Sequence, residues 1–166
     1  FLRSAKSVIY IYTYQITDDE IADTLVELSN KGIKVFLMLS PRIYADWDRK
    51  KATEVQSRLN SIGSNVVVHS SPKNFRYSHL KFILIDDRSN STKSFRTLVM
   101  TGNLSPSDFP IGNTFRPCFG KASCPRANRD INVLFQEQDG KVASKFLEVY
   151  SEDSRDATVY VNPTKY

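Results

Sequence analysis

The chain has 166 residues, 40% of them apolar and 25% charged, with a formal net charge of +5. These ordinary globular values suit one domain around one core, and the lack of any run of about eighteen apolar residues excludes a transmembrane helix from the expectations. The positive excess lies between residues 34 and 130, with net acidic flanks; it favours a phosphate-bearing partner, nucleic acid or lipid headgroup alike, or serves solubility alone.

Phe1 opens the chain abruptly in what reads as a helix end, so an upstream strand and half-helix are expected to be missing. Val8 to Tyr14, rich in isoleucine and tyrosine, predicts a strand. Thr17 as N-cap and Glu20 three residues on predict a capping box, with an acidic first turn that suits the helix dipole. Ile21, Leu25 and Leu28 stripe one face of this helix, and Gly32 ends it. The nearly all-apolar Ile33 to Leu39 predicts a strand covered on both faces. A second helix is expected from about Ile43 or Asp46 to Ile62, striped by Ala52, Val55, Leu59 and Ile62 and capped by Gly63. Its other face, with Arg49, Lys50, Lys51 and Arg58, is a solvated surface or lies along a polyanion. Val66 to His69 is a short strand. His69 has no lysine two residues on and is not expected to be catalytic.

After a polar loop over 70–78, the segment Tyr77 to Asp86 has the alternation and β-branched content of a strand. Residues two apart on a strand share a face, which sets His79 and Lys81 side by side and Asp86 on the opposite side. An imidazole next to an ammonium binds phosphate: the lysine holds negative charge, and the histidine attacks phosphorus or shuttles a proton. The next strand, Thr97 to Met100, runs into Thr101-Gly102-Asn103-Leu104-Ser105-Pro106. That small-residue turn exposes backbone N–H groups and side-chain donors to an anionic ligand.

The stretch from Asp108 to Asn128 has little periodicity and reads as a long loop that walls a site or as a surface excursion. It holds Phe109, Phe115 and Phe119, which would dip into a lipid interface or stack on bases. It also holds both cysteines, Cys118 and Cys124. They read either as a local disulfide, suiting a periplasmic or secreted protein, or as two unrelated thiols in a cytosolic loop. A zinc site is not expected, for want of further ligands nearby. Asp130 then opens the strand Ile131 to Phe135, where its carboxylate could accept the Nδ1–H of His79. Gly140 to Tyr150 predicts a closing helix striped by Val142, Phe146 and Val149, and residues 151–166 read as a linker that includes Asn162-Pro163 or as the start of further sequence. Strands alternating with helices predict an α/β fold, a mixed β-sheet flanked by helices on both faces.

His79-Leu80-Lys81, four residues, Asp86, the Gly102-Asn103 turn, then Asp130 opening a strand: in this order the chain resembles the phospholipase D superfamily. The resemblance covers nearly the whole chain, through Ser4 to Ile11, Lys31 to Val35 and Asn128 to Ile131. Length and element order are similar to the superfamily's single-motif endonucleases, or to one half of a bilobal member. The resemblance implies a phospholipase D-like half-domain with His79 as a nucleophile forming a phosphohistidine, and Lys81 on a non-bridging phosphate oxygen. It implies that Asn103 and the Gly102 backbone complete the phosphate pocket, and that Asp130 orients His79. Asp86 matches the motif's aspartate and is expected to support structure, through a hydrogen bond to the loop Asp87–Ser94. The commoner family turn is Gly-Ser-x-Asn, whereas here it reads Gly102-Asn103-Leu104-Ser105. Either Asn103 and Ser105 have exchanged roles or the turn is shorter.

The expected chemistry is phosphodiester cleavage with neither metal nor cofactor, because no carboxylate cluster marks a two-metal site. The leaving alkoxide needs a general acid, and the chain has one His-x-Lys motif. The second motif is expected from a homodimer partner or from another half of a longer chain. The substrate, phospholipid or nucleic acid, stays open. A catalytically idle module binding nucleic acid or an anionic surface is the alternative. A kinase is disfavoured by the lack of a Gly-rich phosphate loop.

Overall fold

The structure, a computed structural model, describes residues 1–72, 74–87, 94–108, 130–136 and 140–159. Cys118, Cys124, Phe109, Phe115, Phe119 and Asn162-Pro163 lie outside the described residues. After a 3-10 turn at Leu2–Ser4 come β1 (Val8–Thr13), α1 (Asp19–Asn30), β2 (Lys34–Leu39), α2 (Asp46–Asn60) and β3 (Val66–Ser70). There follow β4 (Phe82–Asp87), β5 (Ser94–Met100), β6 (Asn132–Gln136), α3 (Lys141–Arg155) and β7 (Thr158–Val159). The strands form one 7-stranded sheet in the order β6-β5-β4-β1-β2-β3-β7. β1, β2 and β3 are parallel; the other pairings are antiparallel, so the sheet is mixed.

Alternation along the strands sends side chains to two layers of helix. On one face Ile9, Ile11, Val35, Leu37, Val68, Ile83 and Ile85 pack with Leu25 and Leu28 of α1 and Val55 and Leu59 of α2. On the other, Tyr12, Met38, Phe82 and Leu84 pack with Ala143 and Tyr150 of α3, flanked by Phe146 and Leu147. Burial on both faces explains why β2 and β4 read as nearly continuous apolar runs. The fold is thus α/β with helices on both faces. The Tyr12 hydroxyl donates to the Asp153 carboxylate at 2.6 Å, joining β1 to the end of α3. Burial, and then Asp153, pushes the Tyr12 hydroxyl's pKa well up.

Three expectations change. The cap of α1 is Asp18, whose side chain accepts the N–H of Ile21, not Thr17. The N–H groups of Thr17 and Asp18 both donate to the Leu104 carbonyl, at 2.9 and 3.3 Å, beside an isolated parallel bridge from Ile16 to Leu104. That bridge holds the loop after β1 against the turn after β5. The closing helix runs on to Arg155, and β7 pairs with β3, so the start of the expected linker belongs to the sheet and its cover. The strand expected from Tyr77 begins only at Phe82, because the neighbouring ladders end there: Tyr12 of β1 and Val99 of β5 both pair with Phe82.

Candidate active site

Residues 77–81 overhang the end of the sheet, and the expected site residues gather around that overhang. The parallel strands β1, β2 and β3 end at this edge, β4 and β6 start from it, and β5 ends at it. The Met100 N–H donates to the Lys81 carbonyl at 2.9 Å, which brings the 101–108 turn alongside. The Thr101 N–H donates to the Ile131 carbonyl at 3.1 Å, which adds Asp130. His79, Lys81, Gly102, Asn103, Ser105 and Asp130 therefore share one end of the sheet, where open α/β sheets bind ligands.

His79 is exposed, and its ring meets Tyr14 edge-on at 5.4 Å and Tyr77 at 6.2 Å between centroids. Partial desolvation against these rings, and then the nearby Lys81 charge, hold its pKa below the ordinary 6.5. A neutral imidazole at pH 7 is the form that attacks phosphorus. Lys81 is only 5% exposed, and its ammonium donates to the His79 carbonyl oxygen at 3.1 Å. Burial lowers the Lys81 pKa, and Asp108 and Asp130 partly oppose this. The side-by-side pair expected from strand parity is in fact an exposed imidazole and a buried ammonium under the same stretch of backbone.

Asp130 does not accept a bond from His79. Its Oδ1 accepts from the Thr101 hydroxyl at 3.0 Å, and that hydroxyl also accepts the Ile131 N–H at 2.9 Å. The register of β5 with β6 sets Thr101 opposite the entry to β6, so the hydroxyl reaches the carboxylate first. Asp130 Oδ2 is buried without a hydrogen-bond partner. It lies against Gly102: a Cβ there would stand 2.8 Å from Asp130 Cγ and Oδ2 and 3.0 Å from Asp108 Cβ. Gly102 is therefore required for space and not for a positive φ, which occurs at Gly32, Gly63 and Gly140.

The turn after β5 has an unforeseen member. Asp108 is buried, and its Oδ2 accepts the Asn103 N–H at 2.6 Å while its charge faces Lys81. A tight turn closed by the Asp108 N–H on the Ser105 carbonyl carries the carboxylate back. The available signal was an acidic residue closing Ser105-Pro106-Ser107, which reads as the mere start of the long loop. Asn103 Oδ1 is buried and unpartnered, while Ser105 is buried with its hydroxyl 2.9 Å from that of Ser107. Tyr14 was also missed; it reads as the last apolar residue of a strand.

Asp86 lies at the far end of β4. Its Oδ1 accepts the N–H groups of Lys6, Ser7 and Val8 at 3.0, 2.8 and 3.0 Å, and Oδ2 accepts the Ser7 hydroxyl. Burial alone would raise its pKa, but these bonds, led by Ser7, hold it below the ordinary value. These donors come from the entrance to β1; residues 88–93 of the loop after β4, to which the sequence pointed, lie outside the described residues. At that end Asp86 ties β4 to the start of β1 and lies away from His79 and Lys81. His69 sits within β3, paired with Met38 and Val159. Among the described residues no group of three or more His, Cys, Asp and Glu side chains is placed to hold a metal, and no helix is long and apolar enough to cross a membrane.

Residues 1–112 match the profile of the family described as "Cardiolipin synthase, PLD-like domain". A mitochondrial cardiolipin hydrolase of Chlamydomonas reinhardtii is 32% identical over 95 residues, 57% of this chain; the match spans only 39% of that relative. Among solved structures, Nuc of Salmonella typhimurium, a phospholipase D family member, superposes with a TM-score of 0.67 at 16% identity, over 96% of this chain and 85% of Nuc. NucT of Helicobacter pylori gives a TM-score of 0.62 at 18% identity, over 96% of this chain and 86% of its own. At such identities the structural likeness speaks for the fold.

Proposed function

The chain belongs to the phospholipase D-like domain family, and on that footing we propose that it is a phosphodiester hydrolase acting through a phosphohistidine, without need of a metal. One observation carries the reading: an exposed imidazole held neutral, with a buried ammonium beneath its backbone, on an overhang ringed by the 101–108 turn and Asp130. In the first step His79 Nε2 attacks phosphorus, the P–N bond forms, and the bond to the leaving oxygen breaks. Lys81 and Asn103 offset charge on the non-bridging oxygens. The alkoxide takes its proton from a second histidine, and water then breaks the P–N bond.

That second histidine comes from another His-x-Lys half, in a homodimer or in a longer chain. Edge strand β6 supports the need for such a half, because Val133 and Leu134 on it and Ile131 just before it are exposed next to Asp130. The named relatives support a phosphodiester substrate. A second reading, a binding module without turnover, draws on the bond from Asp130 to Thr101 in place of His79.

Turnover of bis(p-nitrophenyl) phosphate in excess EDTA, by the chain and by His79→Ala, tests the proposal. EDTA-resistant hydrolysis lost in the variant is the expected result. Hydrolysis that EDTA abolishes would overturn the mechanism. A well-folded dimer with no hydrolysis would favour the binding module.

A further inference from the structure

A set of exposed side chains beside the site has no part in the hydrolytic steps. Tyr44 and Trp47 are 71% and 75% exposed, and Phe75, Tyr77 and Leu80 are exposed as well. All five stand at the His79 end of the sheet: Tyr44 and Trp47 follow β2, and the other three precede β4. Tyr14 ties the two groups together. Its ring meets His79 and Tyr77, its hydroxyl accepts the Tyr44 N–H at 2.9 Å, and it packs with Ile43 and Ala52. The start of α2 is thereby held against the segment that carries His79.

Charge and side-chain type select the occupant. Three of the four cations of α2 are engaged within the protein, and Lys50 is exposed. Arg49 pairs with Asp46, Lys51 with Asp19 and Glu54, and Arg58 with Asp19 and Asp23. A nucleic-acid strand needs cations along its track, and Leu80 offers no ring for a base to stack on. Tryptophan and tyrosine, with an apolar body and a polar tip, favour the boundary between lipid headgroups and acyl chains, where leucine and phenylalanine also insert. We propose that Tyr44, Trp47, Phe75, Tyr77 and Leu80 form an interfacial platform that seats the His79 end of the sheet on a phospholipid surface, so that the site meets a headgroup phosphodiester there. The choice of substrate class rests on the hydrolytic reading above, but the attachment itself is measured without turnover.

Trp47 is the chain's single tryptophan, so its emission reports on the platform directly. With phosphatidylcholine vesicles the expected result is a blue shift together with co-sedimentation. Trp47→Ser and Tyr44→Ser should each weaken co-sedimentation about tenfold, with far-ultraviolet circular dichroism unchanged, and Trp47→Phe should largely restore it. His79→Ala should bind as the parent does, which separates this inference from the fate of the hydrolytic one. The proposal is overturned by no binding to vesicles, by binding that the serine variants leave intact, or by binding confined to anionic vesicles without a blue shift. It is equally overturned if only a single-stranded oligonucleotide perturbs Trp47, in which case the platform stacks bases.

Discussion

At the scale of single residues, His79 and Asp86 have pKa values displaced downward for different reasons, and each displacement has a measurable consequence. His79 loses hydration against Tyr14 and Tyr77 and lies near the Lys81 charge. The acid limb of kcat/KM should therefore lie below the ordinary histidine value of 6.5. Lys81→Met removes a like charge and so should raise the His79 titration midpoint seen by proton NMR, while activity falls by about a hundredfold or more. An unmoved midpoint would mean that the ammonium is too far away to act on the imidazole. Asp86 is lowered because its ionised form is bound by backbone donors. Its support is present above the unfolded pKa, near the ordinary 3.8, and is lost as pH falls through the lower folded value. Asp86→Ala orphans three N–H groups and should lower unfolding stability by roughly 3 kcal/mol, with Asp86→Asn milder. Equal denaturation midpoints for Asp86→Ala and the parent would remove this role.

At the scale of elements, the cap of α1 and the turn after β5 are the sensitive points. Asp18→Ala should cost about 1 kcal/mol in urea unfolding through loss of the bond to Ile21. Gly102→Ala pushes a methyl group against Asp130 and Asp108, so it should lower both stability and turnover, by about 1–3 kcal/mol in the first case. Full activity in that variant would show that the two carboxylates move aside freely. The elements were legible in the sequence because their signals are local: a helical stripe at Ile21, Leu25 and Leu28, an apolar run at β2, glycines beyond two helices. The site was legible as a set of residues on one edge. Its bonds were not, because they depend on register between segments distant in the chain. Thr101 reaches Asp130 only because β5 pairs with β6, and Asp108 returns to Asn103 only through a tight turn that the sequence pattern left unmarked.

At the scale of the whole molecule, the sheet is polarised. His79, Lys81 and Asp130 stand at one end of the strands, and the carboxylate that fastens β4 to β1 stands at the other. β6 closes one side of the sheet, with Val133 and Leu134 exposed on it and Ile131 exposed just before it. A second half seated beside it would bring the missing histidine, so specific activity should follow the dimer fraction in mass measurements across a dilution series. Activity that is independent of concentration in a strict monomer would exclude the homodimer for this chain. The separation of the two ends by the length of β4 also bears on how such a chain can change over evolutionary time. The loops at the His79 end hang from a frame whose fastening they do not touch, so their length and composition can drift toward new substrates while folding stays secure. The reverse holds at the opposite pole: changes there should be purged for their effect on folding whatever compound the protein consumes.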